Sequence, residues 1–196
     1  VTWSSDVAIC NGALGLLGAE GITALSDSTK QGQLCNLFYE QVRDETMRAF
    51  RWNFCIRQTT LNIPLDSSDA NAPIMGWEYG FALPASNSDY CLRVLKTDGD
   101  EDYVVRGRYL YCNSTSINIE YIRRVLNPDE YDSHFKIACA ANLAAHLAMP
   151  ITKSKTMMES MVALYRMKIE GGYGVDSQEG TPEELQSNEL IEVRYG

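Results

Sequence analysis

Residues 28–54 read STKQGQLCNLFYEQVRDETMRAFRWNF, and the fold turns on how this stretch is understood. Leu34, Phe38, Val42, Glu45 and Ala49 recur at helical spacing, with Leu37 and Gln41 widening the row beside Phe38 and Val42. A largely apolar stripe of that period predicts one long amphipathic helix. Glu40, Arg43, Asp44 and Arg48 fall off the stripe. Glu40 and Asp44 repel each other at i,i+4, whereas Glu40 with Arg43 and Asp44 with Arg48 attract. Met47, Phe50, Trp52 and Phe54 then crowd the C-terminal end and demand burial. If all of 28–54 were helical it would run roughly 40 Å at the α-helical rise. That is more than a small core requires, so the helix is expected to bridge two parts of a molecule or to build an interface.

Around this stretch the periodicity changes twice. Before it, residues 6–17 predict a short helix capped by Ser4 or Ser5 and stopped by Gly18. Gly12 and Gly15 weaken that helix by roughly 1 kcal/mol each relative to alanine, which points to close packing against a neighbour. After it, from Phe54, the period falls to two. Residues 55–63 alternate up to Pro64, and residues 65–73 form a polar loop. In the next strand Met75, Trp77, Tyr79, Phe81 and Leu83 alternate with Gly76, Glu78, Gly80 and Ala82. Further strands are expected at 90–97, at 103–105 paired with 109–112, and at 116–122, with turns at Asp98-Gly99 and Arg106-Gly107. Five or six short strands in this order predict an antiparallel meander. Helical spacing returns at Pro128, capped by Asn127, in an alanine-rich helix expected to break at Pro150. A last helix is expected over about 152–170, ended by Gly171-Gly172.

The predicted fold class is therefore α+β. A helical bundle of about four helices (1–54 and 127–170) carries an antiparallel sheet lobe (55–126) inserted between helices two and three. Residues 171–196 form an acidic extended tail, with six acidic residues against one basic. Such a segment orders on a partner, and Leu185, Leu190, Ile191, Val193 and Tyr195 are the apolar anchors a partner could grip.

Composition narrows the function. The net charge of −9 argues against a surface for nonspecific duplex binding, which needs clustered lysine and arginine. It leaves room for a few basic residues facing DNA inside an assembly. No run of apolar residues reaches the length of a membrane span, and the first residues lack the basic lead-in of a signal peptide. Cysteines 10, 35, 55, 91, 112 and 139 show no CxxC spacing and read as buried thiols in a reducing compartment, with a disulfide framework as the alternative.

Catalytic motifs are sparse. The chain has no Gly-rich phosphate loop, GxSxG elbow or HExxH. His134 and His146 lie three turns apart on one helix, too far to share a metal. Asp98, Asp100, Glu101 and Asp102 match no calcium loop and read as a solvated hairpin tip, with a cation site as the alternative. A glycosidase-like carboxylate pair requires only geometry. The Trp77, Tyr79 and Phe81 row reads as sheet core, or alternatively as a ligand platform for a regulatory or scaffold protein that binds one peptide. Met157, Met158, Met161 and Met167 read as core filler or an interface. Lys96, Arg106, Arg108, Arg123 and Arg124 read as a solvated face, or as a lining that meets DNA transiently. No cofactor and no metal ligand set is expected.

The order of elements, the turn Phe50-Arg51-Trp52-Asn53-Phe54, the W-x-Y-x-F-x-LP strand and the final EGGYG together resemble the tail tubular protein A family of short-tailed bacteriophages. That family has an RGWxFN at the end of its second helix and an LPxDYxxLxxV, matched here by Leu83-Pro84 through Tyr90, Leu92 and Val94. Its strand pair corresponds to Gly107, Arg108, Tyr109, Leu110 and Tyr111, with Cys112-Asn113 where the family places an Asp. Its third-helix opening is matched loosely by Pro128 and Phe135. The resemblance runs from Ala8 to Gly174. It implies a structural adaptor ring, twelvefold and self-associated, that joins the portal protein ring to the tubular B-type tail nozzle and leaves a central DNA channel without membrane insertion. The implied location is the virion tail, after synthesis in the host cytoplasm. Glu40, Arg43, Asp44 and Arg48 are then candidates for complementary charge across subunits. Some tail proteins of this kind cleave peptidoglycan, so a peptidoglycan-degrading tail enzyme is the alternative, although that activity maps onto no residue of this chain.

Overall fold

The structure, a computed structural model, describes residues 3–73, 76–99 and 101–176. Helix α1 spans Asp6–Leu16 and helix α2 Lys30–Ala49. Seven strands follow among the described residues: β1 Ile56–Leu61, β2 Tyr79–Ala82, β3 Ala85–Ser86, β4 Asp89–Thr97, β5 Val104–Arg106, β6 Tyr109–Cys112 and β7 Ile117–Arg123. Helices α3 (Ser133–Thr152) and α4 (Lys155–Asp176) follow among the described residues. This is an α+β fold with four helices and an antiparallel sheet lobe inserted between α2 and α3.

Local chemistry sets the helix starts. Ser5 Oγ accepts from the Ala8 N–H, Thr29 Oγ1 from Gly32 and Asp132 Oδ1 from His134, so each helix satisfies an otherwise orphan donor. Gly18 and Lys153, both at positive φ, follow the ends of α1 and α3. Gly12 lies under the Trp3 indole, where a β-carbon would come within 2.5 Å of the ring. The expected close contact therefore exists at Gly12, while Gly15 faces open space.

The helix starting at Lys30 is shorter than expected. It ends at Ala49, at a length of roughly 30 Å, because Phe50 turns into extended backbone. The Trp52 indole N–H then donates to the Thr46 carbonyl at 2.9 Å, occupying an acceptor of the last helical turn. Residues 53–55 form a single 3-10 turn rather than more helix. The buried face also differs from the predicted stripe. Gly32, Cys35, Tyr39, Val42, Arg43, Thr46 and Met47 point inward, whereas Leu37, Gln41, Glu45 and Ala49 are exposed. The true stripe includes glycine, cysteine, threonine and arginine, which hydrophobic spacing does not pick out.

The central element is α3. Every residue from Ala138 to Ala145 is buried, so over two turns no side of the helix meets solvent. Alanine lets α1, α2 and α4 approach it closely from around the axis. By length and composition α3 could cross a membrane, but it is mostly buried inside the fold, as the core helix of a bundle would be. Pro128 opens a 3-10 turn rather than the helix, and α3 starts five residues later at Ser133. Pro150 does not break α3. It sits inside the last turn, which continues to Thr152, and its carbonyl accepts from Lys30 Nζ. Gly171 and Gly172 do not stop α4 either, since glycine weakens a helix without blocking it. The expected tail thus begins no earlier than 177, and its anchors Leu185, Leu190, Ile191, Val193 and Tyr195 lie outside the described residues.

The strands do not form a meander. They divide into one sheet in the order β1-β7-β4-β3 and another in the order β2-β6-β5, all antiparallel. The expected pairing of 103–105 with 109–112 holds within the second sheet. The strand predicted over 75–83 is cut to Tyr79–Ala82, with Gly76 at positive φ before it. Leu61, Phe81, Leu83, Cys91, Leu110, Cys112, Ile117, Ile119 and Tyr121 form a core shared by the two sheets. Gly80 is buried there because a β-carbon would press on the Tyr111 ring at 3.0 Å.

Candidate functional site

The four charged residues singled out on α2 separate into two kinds. Arg43 is only 5% exposed, and its Nε and Nη2 donate to Asp44 Oδ1 at 3.0 and 2.9 Å. Asp44 Oδ2 takes a 2.5 Å ion pair from Arg124, just beyond β7. Arg43 and Asp44 are therefore engaged within the chain, not on its outer face, because the helix is rotated from the predicted orientation. The expected Asp44–Arg48 attraction is replaced by these pairs. Glu40 and Arg48 do face solvent.

Beyond Asp44 the same contacts tie the bundle to the lobe. The Arg124 and Arg108 guanidinium carbons stand 4.2 and 4.1 Å from the centre of the Tyr90 ring. Both guanidinium groups therefore lie over the Tyr90 ring at cation–π distance. Arg108 also donates to the Cys91 carbonyl at 2.5 Å and to that of Pro84, and the Arg124 backbone N–H donates to the Tyr90 carbonyl at 2.8 Å. The chain from Asp44 through Arg124 and Tyr90 to Arg108 fixes the sheet against α2. Sequence reading took Arg108 and Arg124 for a solvated face. Nothing in their spacing shows that β4, the β5–β6 turn and the end of β7 converge on one tyrosine.

The solvent face of the first sheet is a ladder of paired polar groups. Arg51 and Gln58 donate to the two oxygens of Glu120 at 2.7 and 3.0 Å. Thr60 donates to Asn118 at 2.6 Å, and Asn118 donates to Asp98 at 3.1 Å. Asp98 is thereby tied to the sheet, and Asp100 lies outside the described residues. Among the described residues no group of three His, Cys, Asp or Glu side chains is placed to hold a metal ion. His146 stacks on Phe38 at 5.8 Å and stands 3.9 Å from Glu45. Phe81 is buried in the sheet core, and Trp77 and Tyr79 are half-buried, so the aromatic row leaves no free platform of three rings.

All six cysteines are buried thiols that form no disulfide. Burial pushes the Cys91 thiol up to about 11 and the Cys139 thiol up to about 12. A hydrogen bond to Cys35, reinforced by burial, holds the Cys10 thiol far above its ordinary range. Thiols so reluctant to ionise are poor nucleophiles and serve as small apolar filler.

Large apolar side chains are exposed on the bundle and on the lobe, where Ile63 is 82% exposed. Leu37 on α2 is 67% exposed and Met149 on α3 45% exposed. Charged Glu40 and Arg48 and polar Gln41 are exposed on the same helix as Leu37. Met157, Met158 and Met161 pack on the core, whereas Met167 is exposed. Comparison of the sequence with known protein families and with curated proteins finds no match.

Proposed function

We propose that this protein is a structural adaptor, a ring of identical copies that joins a portal ring to a tail nozzle and leaves an axial channel for DNA. The observation that carries the reading is the outer face of α2, where exposed Leu37 lies among exposed polar and charged side chains. A leucine this exposed among polar side chains is available as an apolar anchor for a protein–protein contact. Two further features support it. The Arg124–Tyr90–Arg108 junction ties the lobe to the bundle, and a ring that closes at a fixed angle needs such a tie. The net charge of −9 suits a conduit that DNA must pass without sticking.

Exposed charges such as Glu40 and Arg48 contribute only about 0.2–1 kcal/mol each, too little to close a ring. Closure therefore rests on apolar contacts and on a templating partner, and the free protein is monomeric or weakly associated. Native mass spectrometry of the chain alone and with a portal ring measures this directly. Electron microscopy of the complex with a twelvefold portal is expected to show twelve copies around an open axis. Isolated dimers or a closed disk would refute the proposal.

A further inference from the structure

Strand β1 is an open edge. It pairs with β7 on one side, in unbroken register from Ile56 with Ile122 to Leu61 with Ile117. Among the described residues no backbone hydrogen bond reaches its other side. The remaining edges are short or covered. β3 has two residues and β5 three, and β2 is flanked by the Pro64 bridge to Phe81 and by the Leu65 N–H donating to the Gly80 carbonyl at 2.7 Å. β1 has six residues with no proline and no bulge, and Ile63 just beyond it is 82% exposed. A long unprotected edge of this kind is a template for another strand.

We infer that residues 189–195 of a second copy of this chain add to the β1 edge as an antiparallel or parallel strand. This rests on the ring reading and names the contact that would propagate it. The segment Glu-Leu-Ile-Glu-Val-Arg-Tyr alternates, with Ile191, Val193 and Tyr195 on one side and Leu190, Glu192 and Arg194 on the other. It is also rich in β-branched and aromatic residues. On β1, Arg57, Thr59 and Leu61 share a face with Tyr121, Ile119 and Ile117 of the sheet core. Ile191, Val193 and Tyr195 laid beside them extend that core, while Leu190, Glu192 and Arg194 fall beside Gln58 and Thr60.

Main-chain hydrogen bonds supply the affinity and alternate side chains the specificity, as in strand addition generally. Residues 177–196 carry five glutamates against Arg194, and beside the edge Arg57, paired with Asp89, and Arg51, paired with Glu120, keep side chains 50% and 52% exposed. Residues 177–188, between α4 and the segment, reach up to about 40 Å when extended. Donor and acceptor are different surfaces of the same chain, so a contact between copies runs head to tail and can close into a ring.

The test uses full chains, one carrying Thr60→Cys and the other Glu192→Cys, the second isotopically heavy, with a short bis-maleimide. The six native cysteines are buried and give little background. Mixing is expected to convert monomer into a covalent dimer of one light and one heavy chain, and Ile191→Asp with Tyr195→Asp in the donor abolishes it. A chain carrying both cysteines that cross-links only within itself overturns the inference, as does the absence of mixed dimer. Native mass of the untreated chains with a portal ring separates the two claims. Rings without the cross-link sink this contact and spare the adaptor, whereas cross-linked dimers without rings keep the strand addition and sink the adaptor.

Discussion

Replacing Trp52 by alanine tests the joint between helix and sheet. Trp52 is 2% exposed and meets Phe50 and Phe135 edge-on at 4.8 and 5.4 Å. Phe135 in turn packs on Phe54 at 5.0 Å and Tyr131 at 4.9 Å, so the indole closes a five-ring cluster at the base of α3. Truncating a buried tryptophan costs about 3–5 kcal/mol through lost transfer energy and the residual cavity. Removing the indole N–H also strips the Thr46 carbonyl of a partner, a further ~1 kcal/mol. Thr46 sits in a buried polar knot, since its hydroxyl donates to the Val42 carbonyl and accepts from Asn142, which limits local relaxation. The sum is about 4–6 kcal/mol, a large part of a domain's whole stability. Trp52→Phe keeps most of the ring and loses the N–H, so about 1–2 kcal/mol is expected. Urea unfolding followed by far-ultraviolet circular dichroism reads both variants. A Trp52→Ala loss below ~2 kcal/mol, or equal losses for alanine and phenylalanine, would refute the reasoning, because neither cavity nor cap would then matter. Unchanged unfolding with lost ring formation would make Trp52 a contact between copies.

Gly12→Ala and Gly15→Ala are expected to move stability in opposite directions. At Gly12 the new methyl collides with the Trp3 ring and outweighs the propensity gain, whereas Gly15 has open space and gains up to ~1 kcal/mol. Equal shifts in the thermal midpoint would refute this. Alkaline stability should fall between pH 9 and 11, because burial raises the folded Cys91 pKa from 9.0 to about 11. The unfolded thiol ionises first, so stability present below pH 9 is lost as the pH rises. Cys91→Ala should flatten that fall, and parallel denaturation curves across the range would count against it. Incubation with purified peptidoglycan should release no soluble fragments above a control. Reproducible release that is lost on substituting one carboxylate would favour the enzyme reading.

Sequence alone determined the architecture at the level of periods. The change from helical to two-residue spacing at Phe54 and back near Pro128 places the lobe between α2 and α3, because each period is a local property of backbone geometry. The cap at Ser5, the β5–β6 pair and the buried state of the cysteines were legible for the same reason, whereas Asn127 caps the 3-10 turn and Asp132 caps α3. The rotation of α2 was not. Its inward face includes Thr46 and Arg43, and what permits each is a neighbour distant in sequence: Asn142 for Thr46, and for Arg43 a shared Asp44 held by Arg124. Strand order was likewise hidden, since β1 finds β7 across more than fifty residues and periodicity carries no partner. The Tyr90 junction depends on that order and so exists only once the sheet has formed. Proline and glycine misled at 150, 171 and 172, where packing along α3 and α4 outweighs local preferences of about 1–3 kcal/mol. The open edge of β1 belongs to the same class, because an edge is defined only by which strand is missing beside it.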